Sequence, residues 1–208
     1  MRKFTFEKPT KLSREQIENT LGDYVDVDNC EELYIEGDIY IGTGVCFIGK
    51  LSIQKNVTIQ GGCIIEDSKI NSKTVVRLSS YIYQSTLSSE STIGPFAFVR
   101  ETNLLGKNSI VGSHVEIVRS QINSQLRASH HCFIGDAILS SHVTIGAGVV
   151  FSNSDGKKKY TSIIGENSFI GSNSVILSPV KIGKNSIIGA GSFVNKDIDK
   201  DTVFIQRR

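Results

Sequence analysis

From about residue 35 to residue 199 the chain places an aliphatic residue at every sixth position. Ile41, Phe47, Ile53, Ile59 and Ile65 open the series, and Ile182, Ile188 and Val194 close it. Glycine often follows the aliphatic, as in Ile41-Gly42, Ile93-Gly94, Ile134-Gly135 and Ile170-Gly171. Four positions after the aliphatic comes a small or β-branched residue, such as Val45, Cys63, Cys132 or Ser186. Neither the helical period of 3.6 nor simple alternation fits this pattern. Six residues suffice for one short strand and one turn, with the aliphatic inward and Gly or Asn at the corner. Three such units close a triangular coil, and Ile70, Leu87, Leu105, Ile122 and Leu139 accordingly recur after 17 or 18 residues. Coils stack at about 4.8 Å, the spacing of strands in a sheet. One coil cannot bury its apolar column, whereas a stack of about nine can.

Residues 1–32 lie outside the repeat and read as an N-terminal extension with one short helix over 12–22. Ser13 and Gln16 make a capping box at its start, and Gly22 supplies its stop. Residues 33–208 read as the solenoid domain, with a polar tail from Asp197 that carries Val203-Phe204-Ile205. The hexads break once, at 152–162, and removing those residues restores them. This is a loop thrown out from one corner, and in a solenoid such insertions often belong to a binding face.

Composition removes several classes of function. A formal net charge of +2 gives no broad footprint for nucleic acid. Lys157-Lys158-Lys159, the one dense basic run, reads by default as a solvated loop tip. Met1–Glu7 lacks the apolar core of a signal peptide, and no stretch is long and apolar enough to cross a membrane. The four cysteines, at 30, 46, 63 and 132, show no CxxC spacing. Cys63 and Cys132 fall on inward positions and are expected to be buried free thiols in a reducing cytoplasm.

The register also predicts a site. His130 is two residues after the inward Ala128, and the same place one coil on is held by Ala147, then Ser172, then Ala190. Small residues in a column leave a groove with exposed backbone. His130 and Ala190 are three rungs apart, or about 15 Å, roughly the reach of an extended pantetheine arm. Corners of such coils are rich in Gly and Ala for turn reasons alone, so the column admits a structural reading as well.

Beyond the hexads, Gly94-Pro95-Phe96-Ala97-Phe98-Val99-Arg100, Val115-Glu116, His130 through Ile134-Gly135-Asp136-Ala137, Ile145-Gly146-Ala147-Gly148 and Asn153-Ser154-Asp155-Gly156 together resemble one family. It is the acetyltransferase half of the bacterial bifunctional enzyme that makes UDP-N-acetylglucosamine, a left-handed parallel β-helix of the hexapeptide acyltransferase type. The resemblance runs without gaps from Gly94 to Arg207 and more weakly from about residue 24. It implies an acetyl-CoA-dependent N-acetyltransferase for an amino-sugar phosphate, with no metal and with active sites between the subunits of a homotrimer. His130 falls on the catalytic base. Arg100, Phe133, Asn153 and Lys159 fall on acceptor-binding positions, and Ala147, Ser172, Ala190 and Arg207 on the acetyl-CoA site. Four acceptor-side residues depart from the pattern: Val118 stands for a lysine, Phe133 for a tyrosine, Thr144 for an asparagine and Ser154 for a tyrosine. The donor side is intact, so the resemblance constrains the donor more tightly than the acceptor. No segment resembles the nucleotidyltransferase half or a basic tail beyond Arg207.

The chemistry suits the residues. Acetyl transfer to an amine needs a base that titrates near neutrality, which histidine is. Backbone N–H groups near Gly146–Ala147 are candidate oxyanion donors, and Arg100 with Lys159 suits a phosphate. Glu116, one coil below Phe133, reads as a solvated carboxylate or as a partner of the acceptor amine or of His130. His131 stacks over His114, but the spacing of His114, His130, His131 and His142 does not fit a zinc site between subunits. The competing readings are transfer to another amino- or hydroxy-sugar or nucleotide sugar, and a non-catalytic trimeric module.

Overall fold

The computed structural model describes residues 1–102 and 104–206. It is a left-handed parallel β-helix of about 10 turns with one short helix. Each coil pairs in register with the next. Thr92-Ile93 lies beside Ile110-Val111, then Arg127-Ala128, Thr144-Ile145, Phe169-Ile170, Ile187-Ile188 and Val203-Phe204, all parallel. Because side chains alternate along a strand, this register sends every hexad aliphatic inward. Ile117, Ile134, Ile145, Ile170 and Ile188 are fully buried. The three columns form one continuous hydrophobic cluster down the axis. Across the break, Leu139 pairs with Ile164, so the loop leaves the register undisturbed.

The corners carry the cost of so tight a path. Residues such as Glu101, Arg119 and Asp136 adopt left-handed conformations, with φ of 50°, 47° and 50°, each about 1–2 kcal/mol less favourable for an L-residue. Buried hydroxyls answer the backbone groups there. Ser68 Oγ accepts from Ser85 N–H at 3.1 Å, Ser85 Oγ from Thr102 N–H at 3.1 Å, and Ser120 Oγ from Ala137 N–H at 3.1 Å. Among the described residues no buried side-chain nitrogen or oxygen lacks a partner.

Both ends depart from the sequence expectation. Strand β1 (Arg2–Leu12) pairs antiparallel with β2 (Val25–Ile41), and helix α1 (Arg14–Leu21) lies between them. The capping box is present: Ser13 N–H donates to Gln16 Oε1 at 2.9 Å, and Gln16 N–H to Ser13 Oγ at 3.4 Å. β1 carries no hexad signal, and its register shifts between Phe6 and Thr10, around Pro9, which cannot donate to a ladder. The division after residue 32 falls inside β2, and Phe4, Leu12, Ile17 and Leu21 share the solenoid's core. The tail also continues the coil, with Ile198 bridging to Ile182 and Val203-Phe204 pairing with Ile187-Ile188. No helix among the described residues is long and apolar enough to cross a membrane.

Ile134→Ala is expected to cost about 2–5 kcal/mol in denaturant unfolding, as a buried cavity does. The outward Gln121→Ala is expected to stay within about 0.5 kcal/mol.

Candidate active site

The paired strands set His130, Ala147, Ser172 and Ala190 at the same corner of four successive coils. Gly148 N–H donates to His130 O at 3.0 Å, Asn173 N–H to Ala147 O at 2.8 Å, and Gly191 N–H to Ser172 O at 2.7 Å. His130 and Ala190 are exposed, while Ala147 and Ser172 are half-buried. Glycine at 146 and 171 is demanded by coil contact, since a Cβ there would lie 2.6 Å from Ser172 N and 2.4 Å from Ala190 N. Glycine alone does not mark the groove, because Gly165 and Gly183 are equally crowded at another corner. The small residues do mark it: the matching places at that other corner hold Glu166, Lys184 and Lys200. Gly146 N–H is committed to Ile170 O at 2.8 Å. Among the described residues Ala147 N–H makes no backbone bond of this kind.

The residues expected on the acceptor side gather at the opposite corner of the face that begins at His130. Arg100 ends the strand Phe98–Arg100. It donates to Glu116 Oε1 from Nε at 3.1 Å and Nη2 at 2.8 Å, and to Glu101 Oε1 from Nη1 at 3.1 Å. Glu116 is thus an ion-pair partner of Arg100 rather than of His130. Arg119 grips Asp136 with two bonds, Nε to Oδ1 at 2.8 Å and Nη2 to Oδ2 at 2.9 Å. The buried Asn153 donates from Nδ2 to the same carboxylate. A Cβ on Gly135 would lie 2.5 Å from Asn153 Nδ2 and 2.8 Å from the Phe133 ring, so glycine makes room for both.

Partial burial pushes the Asp136 carboxyl up. The bonds and charge of Arg119, the bond from Asn153 and the charge of Lys159 together outweigh it and hold the group below the usual aspartate range. The inserted loop is internally tied. Ser154 bridges Lys159, and Tyr160 N–H donates to Asn153 O at 2.8 Å. Asp155 accepts from the N–H groups of Lys158 and Lys157 and from the Tyr160 hydroxyl, which brings its carboxyl down to about 2.

The structure therefore joins Arg100 and Asn153 into one charged network through Glu101, Arg119 and Asp136, with the charge of Lys159 acting on Asp136. It does not bring them to His130. Asp136 follows His130 by six residues, up to about 20 Å of chain, with the half-buried Phe133 between them. Val118, in the lysine position, is fully buried, and Arg119 beside it carries the positive charge at the corner. Arg207 lies outside the described residues. Sequence reasoning missed Glu101 and Asp136 as members of the network. Their signal was the alternation of charge at one-coil spacing, Glu101, Arg119, Asp136.

Cys132 is buried and donates from Sγ to Gly146 O at 3.0 Å, and burial pushes its thiol up. His131 stacks on His114 with ring centroids 4.9 Å apart. Among the described residues no three His, Cys, Asp or Glu side chains converge to hold a metal ion.

The family described as bacterial transferase hexapeptide (six repeats) matches residues 161–196. The bifunctional protein GlmU of Baumannia cicadellinicola is 37% identical over 176 residues, which cover 85% of this chain and 38% of that protein. GlmU of Clostridium botulinum (strain Kyoto) is 37% identical over 185 residues, 86% of this chain and 40% of that one. The chain spans about two fifths of the length of these relatives. Among solved structures, LpxA from Acinetobacter baumannii superposes with a TM-score of 0.54 at 16% identity, covering 85% of this chain and 67% of that one. LpxA from Bacteroides fragilis, described as a UDP-N-acetylglucosamine acyltransferase, gives 0.52 at 15%, covering 89% and 69%. The chain is a hexapeptide-repeat protein, and the resemblance carried by its motifs is to the proteins it matches.

The Asp136 carboxyl gives up its proton more readily folded than unfolded, so its stabilising effect is full above the ordinary aspartate range. That effect is lost as pH falls through the lowered pKa. Asp136→Asn is expected to cost on the order of 1 kcal/mol at pH 7. In urea unfolding the gap from wild type should close as pH falls from the ordinary aspartate range through the lowered pKa.

Proposed function

We propose that this hexapeptide-repeat chain is an acetyl-CoA-dependent N-acetyltransferase of the cytoplasm. Its acceptor is an amino-sugar phosphate, most simply glucosamine-1-phosphate, and His130 is the general base. The observation that carries the reading is the column: an exposed imidazole below small residues at the same corner of the next three coils, about 15 Å over three rungs. A coenzyme A thioester laid along Ala147, Ser172 and Ala190 would bring its carbonyl to His130. The likeness to GlmU proteins over 85% or more of this chain supports the same assignment.

The neutral amine attacks the thioester carbonyl while His130 takes its proton. Ala147 N–H faces the charge that develops on the carbonyl oxygen. Collapse of the tetrahedral adduct breaks the C–S bond, and the proton on His130 passes to the leaving thiolate. The products are amide and free coenzyme A thiol.

The site needs a second subunit. His130 and the Arg100–Asn153–Lys159 network stand at opposite corners of one face, so in a homotrimer the loop of one chain would reach the His130 of its neighbour. Apolar side chains exposed on the two faces that meet at the His130 corner suit such packing: Phe169 and Ile187 on one, Val150 and Phe193 on the other.

A second acceptor reading rests on charge. Arg100, Arg119 and Lys159 are balanced by Glu101, Glu116 and Asp136. A phosphate must displace Glu116 from Arg100, and neither Val118 nor Phe133 supplies a replacement donor. This favours a different amino- or hydroxy-sugar with weaker demand for a cation.

Release of coenzyme A thiol from acetyl-CoA is expected with an acceptor from a panel headed by glucosamine-1-phosphate. His130→Ala should lower kcat by about 10²–10⁴-fold. Arg100→Ala should raise KM for a phosphorylated acceptor and leave KM for acetyl-CoA unchanged. Turnover confined to another sugar would move the assignment to the second reading. Silence on every acceptor, with no acetyl-CoA binding, would leave a structural module.

A further inference from the structure

We infer that His131 is the positioning residue for His130, held by a ladder of three stacked rings. The inference rests on the reading of His130 as the base. His130 takes part in no side-chain hydrogen bond or ion pair among the described residues. The contact its imidazole makes is edge-to-face with the His131 ring, at 6.0 Å between centroids and 87° between planes. A catalytic base ordinarily needs a third group to orient it, and here that group is a ring.

His131 is itself fixed from below. Its ring lies 4.9 Å from His114 at an interplanar angle of 15°, and His114 lies 5.1 Å from Phe96 at 26°. These separations are one rung of the solenoid. The three residues occupy one corner column, each in the left-handed conformation, with φ of 56°, 56° and 57°. Their backbones are tied to the coil below: Phe96 N–H donates to Leu78 O at 3.0 Å, His114 N–H to Pro95 O at 3.3 Å and His131 N–H to Ser113 O at 3.0 Å. One coil above, Gly148 takes the same place with φ of 69° and bears no side chain. The ladder therefore ends on the coil that carries His130. All three rings are exposed, so the stack is not explained as core packing. It sets His131 upright beside His130 and denies the base one side of its rotamer space.

The variants can be chosen so that they fold. The column already accepts glycine at 62 and 148 and phenylalanine at 96, so His131→Gly removes the ring and His131→Phe keeps it without ionisation. His131→Gly and His114→Gly are expected to lower kcat on the order of tenfold, part of what a general base supplies, with both KM values within about twofold. His131→Phe should restore kcat. Full kcat in His131→Gly, or a loss that His131→Phe does not rescue, would overturn the inference. If His130→Ala keeps its activity, the reading of the base fails instead.

A measurement free of turnover covers a silent enzyme. In protein labelled at histidine, the ring-proton resonances of His130 should shift in His131→Gly and return toward wild type in His131→Phe. Unchanged His130 resonances in His131→Gly would overturn the ladder's role whether or not an acceptor is found.

Discussion

Everything in this molecule depends on the in-register parallel pairing of each coil with the next. A backbone N–H of one coil meets a carbonyl of its neighbour at about 2.8–3.0 Å along the stack, as Gly94 to Val111, Gly112 to Ala128 and Gly146 to Ile170 do. With register fixed, a residue type at one place in the hexad becomes a column in space. Aliphatics become a core, corner serines become a hydroxyl ladder, and small residues beside His130 become a groove. Slipping one coil by a single residue would turn its aliphatic outward. The apolar columns and the hydrogen-bond ladder therefore enforce each other.

The same register separates two kinds of chemistry onto two corners. One corner holds the exposed imidazole and a run of bare backbone. The other holds a network in which Arg100 and Arg119 meet Glu101, Glu116 and Asp136. Such pairing leaves the guanidinium groups well ordered but already satisfied. An anion binding at Arg100 would gain only what remains after Glu116 is displaced, and displacing a charge-assisted bond costs more than displacing water. The small-residue column beside His130 carries no such competitor. Its side chains are small and its polar groups are backbone.

The ends show what a solenoid requires beyond its repeat. A stack of coils leaves an open edge and an exposed apolar column at each end. Here β1 and α1 cover the first coil, with Ile17 and Leu21 closing the column. At the other end Phe204 packs against the core after the tail has wound back beside Ile187-Ile188. The first cap does not resemble a hexad, because capping a stack and propagating it place different demands on a segment, whereas the tail keeps the six-residue step from Ile198 to Phe204.

Period and register were legible in the sequence because they are local. A six-residue spacing, repeated, dictates inward aliphatics, the place of the 152–162 loop and the alignment of His130 with Ala147, Ser172 and Ala190. The capping box at Ser13 was legible for the same reason. Strand β1 was not, since its partner β2 lies beyond a helix and antiparallel pairing leaves no hexad. Nor was the engagement of Arg100 by Glu116, or of Asp136 by Arg119 and Asn153. Those contacts turn on which rotamer a long side chain takes among neighbours one coil away, which spacing restricts but does not choose. The sequence by itself determined the coil, its columns and the candidate residues at one corner. The tertiary structure decided which charges neutralise one another and which ring stands beside His130, because those depend on side-chain directions set only when the coils are stacked.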